Sequence, residues 1–107
     1  MARVLIQAPV SARQGEVIQI RTLIAHPMET GFRPGSDGKV LPRETIRRFS
    51  CRYNGELVFG AELFPSIAAN PYLSFHTVAT ASGTLSFMWE GDKGFTQTET
   101  QQINVSA

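Results

Sequence analysis

A single cysteine, Cys51, leaves no internal disulfide to be made, so the fold cannot rest on oxidation and cysteine usage does not fix a compartment. No apolar run approaches the roughly 20 residues of a membrane-spanning helix. Met1-Ala2-Arg3 leads straight into Val4-Leu5-Ile6 with neither an apolar h-region nor a small-residue cleavage site, so no signal peptide is expected. Taken alone, the residues suggest a cytoplasmic protein. Charge is also sparse: 18% of residues carry one and the formal net is +1, which argues against a dedicated nucleic-acid binder. The sequence shows no Gly-rich phosphate loop, no serine nucleophile elbow and no paired-cysteine zinc spacing.

What is present suffices for one ordinary core. A length of 107 residues, 42% hydrophobic, makes a single domain spanning 1–107 that needs no staples. Apolar and polar residues alternate along most of it. Residues 3–8 form a short apolar segment closed by Pro9, suited to an edge or sheet-switching strand. In 17–24, Ile18, Ile20, Thr22 and Ile24 share one face, with Gln19 and Arg21 on the other. In 45–53, Phe49, Cys51 and Tyr53 face one way, and Asn54-Gly55 then predicts a hairpin back through Leu57-Val58-Phe59. Residues 63–72, with Pro65 and Pro71, read as a crossing between sheets, with a helical turn at 66–69. Alternation resumes over 72–80. Leu85, Phe87 and Trp89 share a face in the next strand, and Gly91-Asp92-Lys93-Gly94 turns the chain into a Thr- and Gln-rich last strand expected at an edge or a solvent-facing position. Seven strand-like segments without a convincing helix predict an all-β, immunoglobulin-like antiparallel β-sandwich.

The alternation breaks at His26-Pro27-Met28-Glu29-Thr30-Gly31. Pro27 lacks an N–H and bars His26 from the helical region, which ends the strand. The segment is either a turn that satisfies its own polar groups or a surface meant for something else. A Gly- and Pro-rich stretch follows to residue 42, with Asp37-Gly38 a candidate small hairpin. Arg33, Lys39, Arg43, Arg47, Arg48 and Arg52 crowd one fifth of the chain, with only Asp37 and Glu44 among them. Such a stretch can attract an anion or an acidic partner, or be a solvated strand face.

Chemistry is hard to assemble from these residues. His26 and His76 lie fifty positions apart. Cys51, His26, His76 and Met28 or Met88 match a blue-copper donor set in type, but the donors are not clustered near the C-terminus as in common blue-copper proteins. Cys51 beside arginines could be a reactive thiol, yet its phase between Phe49 and Tyr53 predicts a buried one.

Four segments resemble the SoxZ family, the Z subunit of the carrier in bacterial sulfur oxidation. They are Gly15-Glu16-Val17-Ile18 leading to Thr22-Leu23-Ile24, the His26–Gly31 segment, Phe49-Ser50-Cys51-Arg52-Tyr53-Asn54-Gly55, and Ala69-Asn70-Pro71-Tyr72-Leu73. The resemblance implies a non-catalytic subunit without cofactor or metal. Its partner in that family is the Y subunit, which holds thiosulfate-derived sulfur on a cysteine of a C-terminal arm. This chain ends Asn104-Val105-Ser106-Ala107, with neither that cysteine nor a Gly-rich tail. The family also implies a periplasmic protein exported with its signal-bearing partner, transient contact with other sulfur-oxidation enzymes, and self-association when isolated. An interface of about 1,500 Å² in total is expected. Candidate interface or functional-loop residues are His26, Met28, Glu29, Thr30, Phe32, Phe64, Asn70 and Tyr72. The competing reading is a self-contained thiol or metal-binding sandwich using Cys51 with His26 and His76.

Overall fold

A computed structural model describes residues 2–32, 34–64 and 69–107. The helical turn expected at 66–69, and Arg33 of the basic stretch, lie wholly or mainly outside the described residues. Among the described residues, eight strands form two sheets: β1 (Val4–Gln7), β2 (Ser11–Arg13), β3 (Val17–Ile24), β4 (Ile46–Tyr53), β5 (Glu56–Glu62), β6 (Tyr72–Val78), β7 (Gly83–Gly91) and β8 (Thr96–Ser106). One sheet has the order β1-β3-β6 and the other β2-β8-β7-β4-β5. Every pairing is antiparallel except the short parallel contact of β2 with β8.

The period-two residues build the core. In β3 every second side chain from Ile18 to Ile24 is buried, as the alternation predicts, and Thr22 packs among the isoleucines with its hydroxyl unpartnered. Phe49, Cys51 and Tyr53 of β4 meet Leu85, Phe87 and Trp89 of β7 in register, and all six are buried. Phe75 brings β6 into the same layer, its ring 6.0 Å from that of Phe49 and 4.3 Å from Phe59. Aromatic area of this kind dominates the hydrophobic stabilisation of a small sandwich.

Two details differ from the sequence reading. β2 was not foreseen, because three residues are too few to show a period; Pro9 ends β1 in one sheet and the chain switches into β2 of the other. The Thr- and Gln-rich β8 pairs with β7 over Thr96 to Ile103 and is an edge there, as expected, but β2 covers Asn104 to Ser106. Its glutamines reach across to the N-terminal segment. Gln97 brackets the backbone of Ala2, accepting from its N–H at 2.9 Å and donating to its carbonyl at 2.7 Å, and Gln101 donates to the Ala8 carbonyl at 3.1 Å. Amides on this strand therefore satisfy backbone groups that sheet pairing leaves open.

Candidate functional site

At the exit of β3 the chain leaves the sheet through a turn that bonds to itself. The His26 N–H donates to Asn70 Oδ1 at 2.8 Å, and the Asn70 N–H returns a bond to the His26 carbonyl at 2.7 Å. Met28 then adopts a left-handed backbone, φ 52°, and its N–H donates to His26 Nδ1 at 2.9 Å. Because Nδ1 accepts, the ring is neutral there and carries its proton on Nε2. Burial lowers the His26 pKa below 6.5, against the opposing pull of Glu44 and Asp92. The imidazole also meets Phe95 edge-on at 5.3 Å, and Met28 Sδ accepts from the Ile46 N–H at 3.2 Å. His26 and Met28 are both buried, so these two side chains give the segment its shape and its neighbours form its surface.

Beyond this pivot lies an arm closed by two isolated backbone bridges. Glu29 and Glu44 exchange backbone bonds of 2.7 Å in each direction at its base. Pro34 bridges Val40 further out, and the Gly35 N–H donates to the Lys39 carbonyl at 2.6 Å, so the small hairpin expected at Asp37-Gly38 is present. Glu29 and Thr30 are partly exposed, and Phe32 is 85% exposed.

A carboxylate anchors the arm to the body. Asp92 Oδ2 accepts from the Thr45 N–H at 3.0 Å and from its hydroxyl at 2.8 Å, while Oδ1 accepts from Arg43 at 3.1 Å. Arg47 stands 3.8 Å from the same oxygen. The Thr45 hydroxyl bond is the chief reason that the Asp92 pKa lies below the usual carboxylate range, with the Thr45 N–H and Arg43 adding to it against partial burial. Gly91 permits this approach, because a Cβ there would stand 2.5 Å from the Thr45 carbonyl oxygen. The Asp92 cluster was not singled out in the sequence, where Gly91-Asp92-Lys93-Gly94 signals only a turn; nothing local marks the carboxylate's partner 47 residues away.

The structure gathers the sequence-predicted residues at one end of the sandwich. Asn70 bonds His26, Tyr72 pairs with Leu23 just before the pivot, and Phe64 follows Leu63, whose N–H bonds the Arg47 carbonyl at 2.8 Å. Phe64 is 61% and Tyr72 58% exposed, so with Phe32 they are the three aromatic side chains more than half exposed among the described residues.

The thiol or metal reading is corrected by the same geometry. Cys51 is fully buried between the sheets, and burial pushes its thiol up to about 12, so the nucleophilic thiolate is strongly disfavoured. His76 faces outward on β6 opposite Gln19, seven residues back along β3 from His26, a separation of more than about 20 Å at the strand rise. Among the described residues, no group of three or more His, Cys, Asp or Glu side chains could hold a metal ion. These three residues therefore form no common site.

Fold and site together define an immunoglobulin-like β-sandwich whose distinctive feature is a surface, an aromatic and basic end built on a rigid pivot. Residues 6–102 match the family described as Sulphur oxidation protein SoxZ, and the chain belongs to that family. Membership gives it a role in sulfur oxidation. No curated protein matches significantly by sequence. Among solved structures, a superoxide reductase (neelaredoxin) from Ignicoccus hospitalis is similar with TM-score 0.74 and 17% identity, covering 98% of this chain and 82% of that one. A putative superoxide reductase from Thermotoga maritima gives TM-score 0.73 at 17% identity, over 97% and 86% of the two chains. The sulfur carrier protein SoxY from Chlorobium limicola f thiosulfatophilum gives TM-score 0.68 at 14% identity, over 97% and 79%. At such identities these likenesses concern the fold alone. No helix among the described residues is long and apolar enough to cross a membrane.

Proposed function

We propose that this protein is the non-catalytic Z subunit of a heterodimeric sulfur carrier, supporting a SoxY-type subunit whose arm cysteine bears the covalently bound sulfur. The family match over residues 6–102 carries this reading. The chain's own chemistry supports it, because its one thiol is buried and held protonated. The pair works in the periplasm and reaches it together. The end carrying Glu29, Thr30, Phe32, Phe64, Asn70 and Tyr72, with His26 and Met28 beneath it, is where the complex meets the other enzymes in passing, and Asn70 and Tyr72 adjoin the partner's seat.

Co-expression with a SoxY-type subunit tests this. Native mass spectrometry should give a one-to-one complex, and after reaction with thiosulfate and an oxidant every added sulfur should map to the partner. Sulfur attached to Cys51, or two subunits that migrate independently, would overturn the proposal. Phe32→Ala and Phe64→Ala should lower thiosulfate turnover of the reconstituted system while leaving thermal stability unchanged. Unchanged turnover in the double variant would remove the loop end from that role.

A further inference from the structure

The two sheets have unlike outer faces. In the five-stranded sheet, Arg48, Arg52, Thr98 and Thr100 face solvent, and Leu57 is the only large exposed hydrophobic of its strands. In the three-stranded sheet, Leu5 pairs with Leu23 and Leu23 with Tyr72. These three form one row across all three strands, 54%, 36% and 58% exposed. Beside it a cleft of about 270 Å³, lined by Arg3, Val4, Leu5, Leu23, Ala25 and Asn70, has mainly apolar walls. The Asn70 amide at its rim is held in place by its bond to the His26 N–H.

We infer that this row is the seat of the sulfur-carrying subunit, docked sheet face against sheet face. The inference rests on the heterodimer reading above and names the surface that reading requires. Area supports it. Three strands spaced about 4.8 Å apart and up to eight residues long at about 3.4 Å cover roughly 14 by 27 Å, or about 380 Å² in plan. A standard interface takes about 800 Å² of accessible surface from each partner, so the face supplies about half and the adjoining 25–29 turn and Asn70 extend it. The opposite sheet sets Leu57 and half-buried Met88 among Arg48, Arg52, Glu62 and Glu90, so its apolar side chains are interrupted by charge. The row stands at the end of the face beside the 25–29 turn, so the apolar part of the contact is centred there, with Arg3 and Asn70 on one side and the polar Gln7, Arg21, Ser74, Gln19 and His76 on the other as its rim.

The test titrates the SoxY-type subunit with this protein and with Leu23→Asp, Leu5→Asp, Tyr72→Ala and Leu57→Asp, each checked for folding by its thermal transition. Affinity should fall roughly tenfold or more for the first three and stay at wild type for Leu57→Asp. Leu5 stands on an edge strand, so Leu5→Asp carries the test if Leu23→Asp does not fold. Wild-type affinity in Leu5→Asp and Tyr72→Ala, or equal weakening by Leu57→Asp, overturns this surface while the heterodimer reading stands. If the unaltered protein does not bind the subunit at all, it is the heterodimer reading that fails.

Discussion

The two ends of the sandwich are closed by different means. At one end the turns are short and their bonds mostly local in space: Asn54, φ 49°, and Gly55, φ 84°, reverse the chain between β4 and β5. The Asn54 side chain accepts from the Thr84 N–H at 2.9 Å across the neighbouring turn, and Gly83 leaves room for that amide. The Tyr53 hydroxyl donates to the Ala81 carbonyl and accepts from the Thr80 and Ala81 N–H groups. At the other end the short Gly91-Asp92-Lys93-Gly94 turn joins β7 to β8, but the link from β3 to β4 is long. The chain excursion over 25–45 is secured by Asp92, Asn70, His26 and Met28 reaching across long sequence separations. The first end closes with short turns that the Asn54 amide and the Tyr53 hydroxyl tie to one another. The second shows how a surface can be offered to a partner without losing rigidity underneath.

This contrast is sharpest if the anchors are removed one at a time. Asp92→Ala should have the largest effect, about 2–3 kcal/mol by urea denaturation, since it leaves the Thr45 N–H and hydroxyl and the Arg43 guanidinium without their acceptor. Its charge predicts a pH signature as well. The folded pKa of Asp92 lies below the ordinary 3.8, so its stabilisation is fully present above that value and is lost as pH falls through the folded pKa; Asp92→Asn should flatten that acid limb. A wild-type acid profile in the variant would show that the arm is anchored elsewhere.

Tyr53→Phe, at the opposite end, should cost about 1 kcal/mol, because the removed hydroxyl leaves groups that water can partly reach. A loss as large as that of Asp92→Ala would erase the distinction between the ends. His26 should produce a smaller, pH-dependent change. Its folded pKa is lowered, so the unfolded chain binds the proton more readily, and stability is complete above about 6.5 and declines as pH falls toward the folded value. Thermal transitions between pH 7 and 5 should show this slope, and His26→Gln should remove it. Least of all, Arg48→Ala should shift stability by under about 0.5 kcal/mol, since Arg48 and Glu62 are 3.9 Å apart and both largely exposed.

Legibility in the sequence followed the same division. The alternation of Ile18, Ile20, Thr22 and Ile24, and of Leu85, Phe87 and Trp89, named core positions directly, because a strand with one wet face must alternate. Asn54-Gly55 named its hairpin because few residue pairs adopt that backbone. β2 escaped notice through its brevity, and with it the cover it gives β8 over Asn104 to Ser106; the bonds of Gln97 and Gln101 to a distant backbone leave no local signal. His26-Pro27-Met28 was visible as a break in pattern, but whether its polar groups turned inward or outward depended on Asn70 and Ile46, which periodicity does not locate.

What the sequence determined by itself was the all-β architecture, most of its buried residues and the place where the chain must leave the sheet, since these follow from local backbone preference and period-two burial. Only the tertiary structure decided that Asp92 secures Thr45 and that Leu5, Leu23 and Tyr72 line up across three strands. Each of those depends on strand register and on which sheet a segment joins, and both are settled by contacts between residues far apart in the chain.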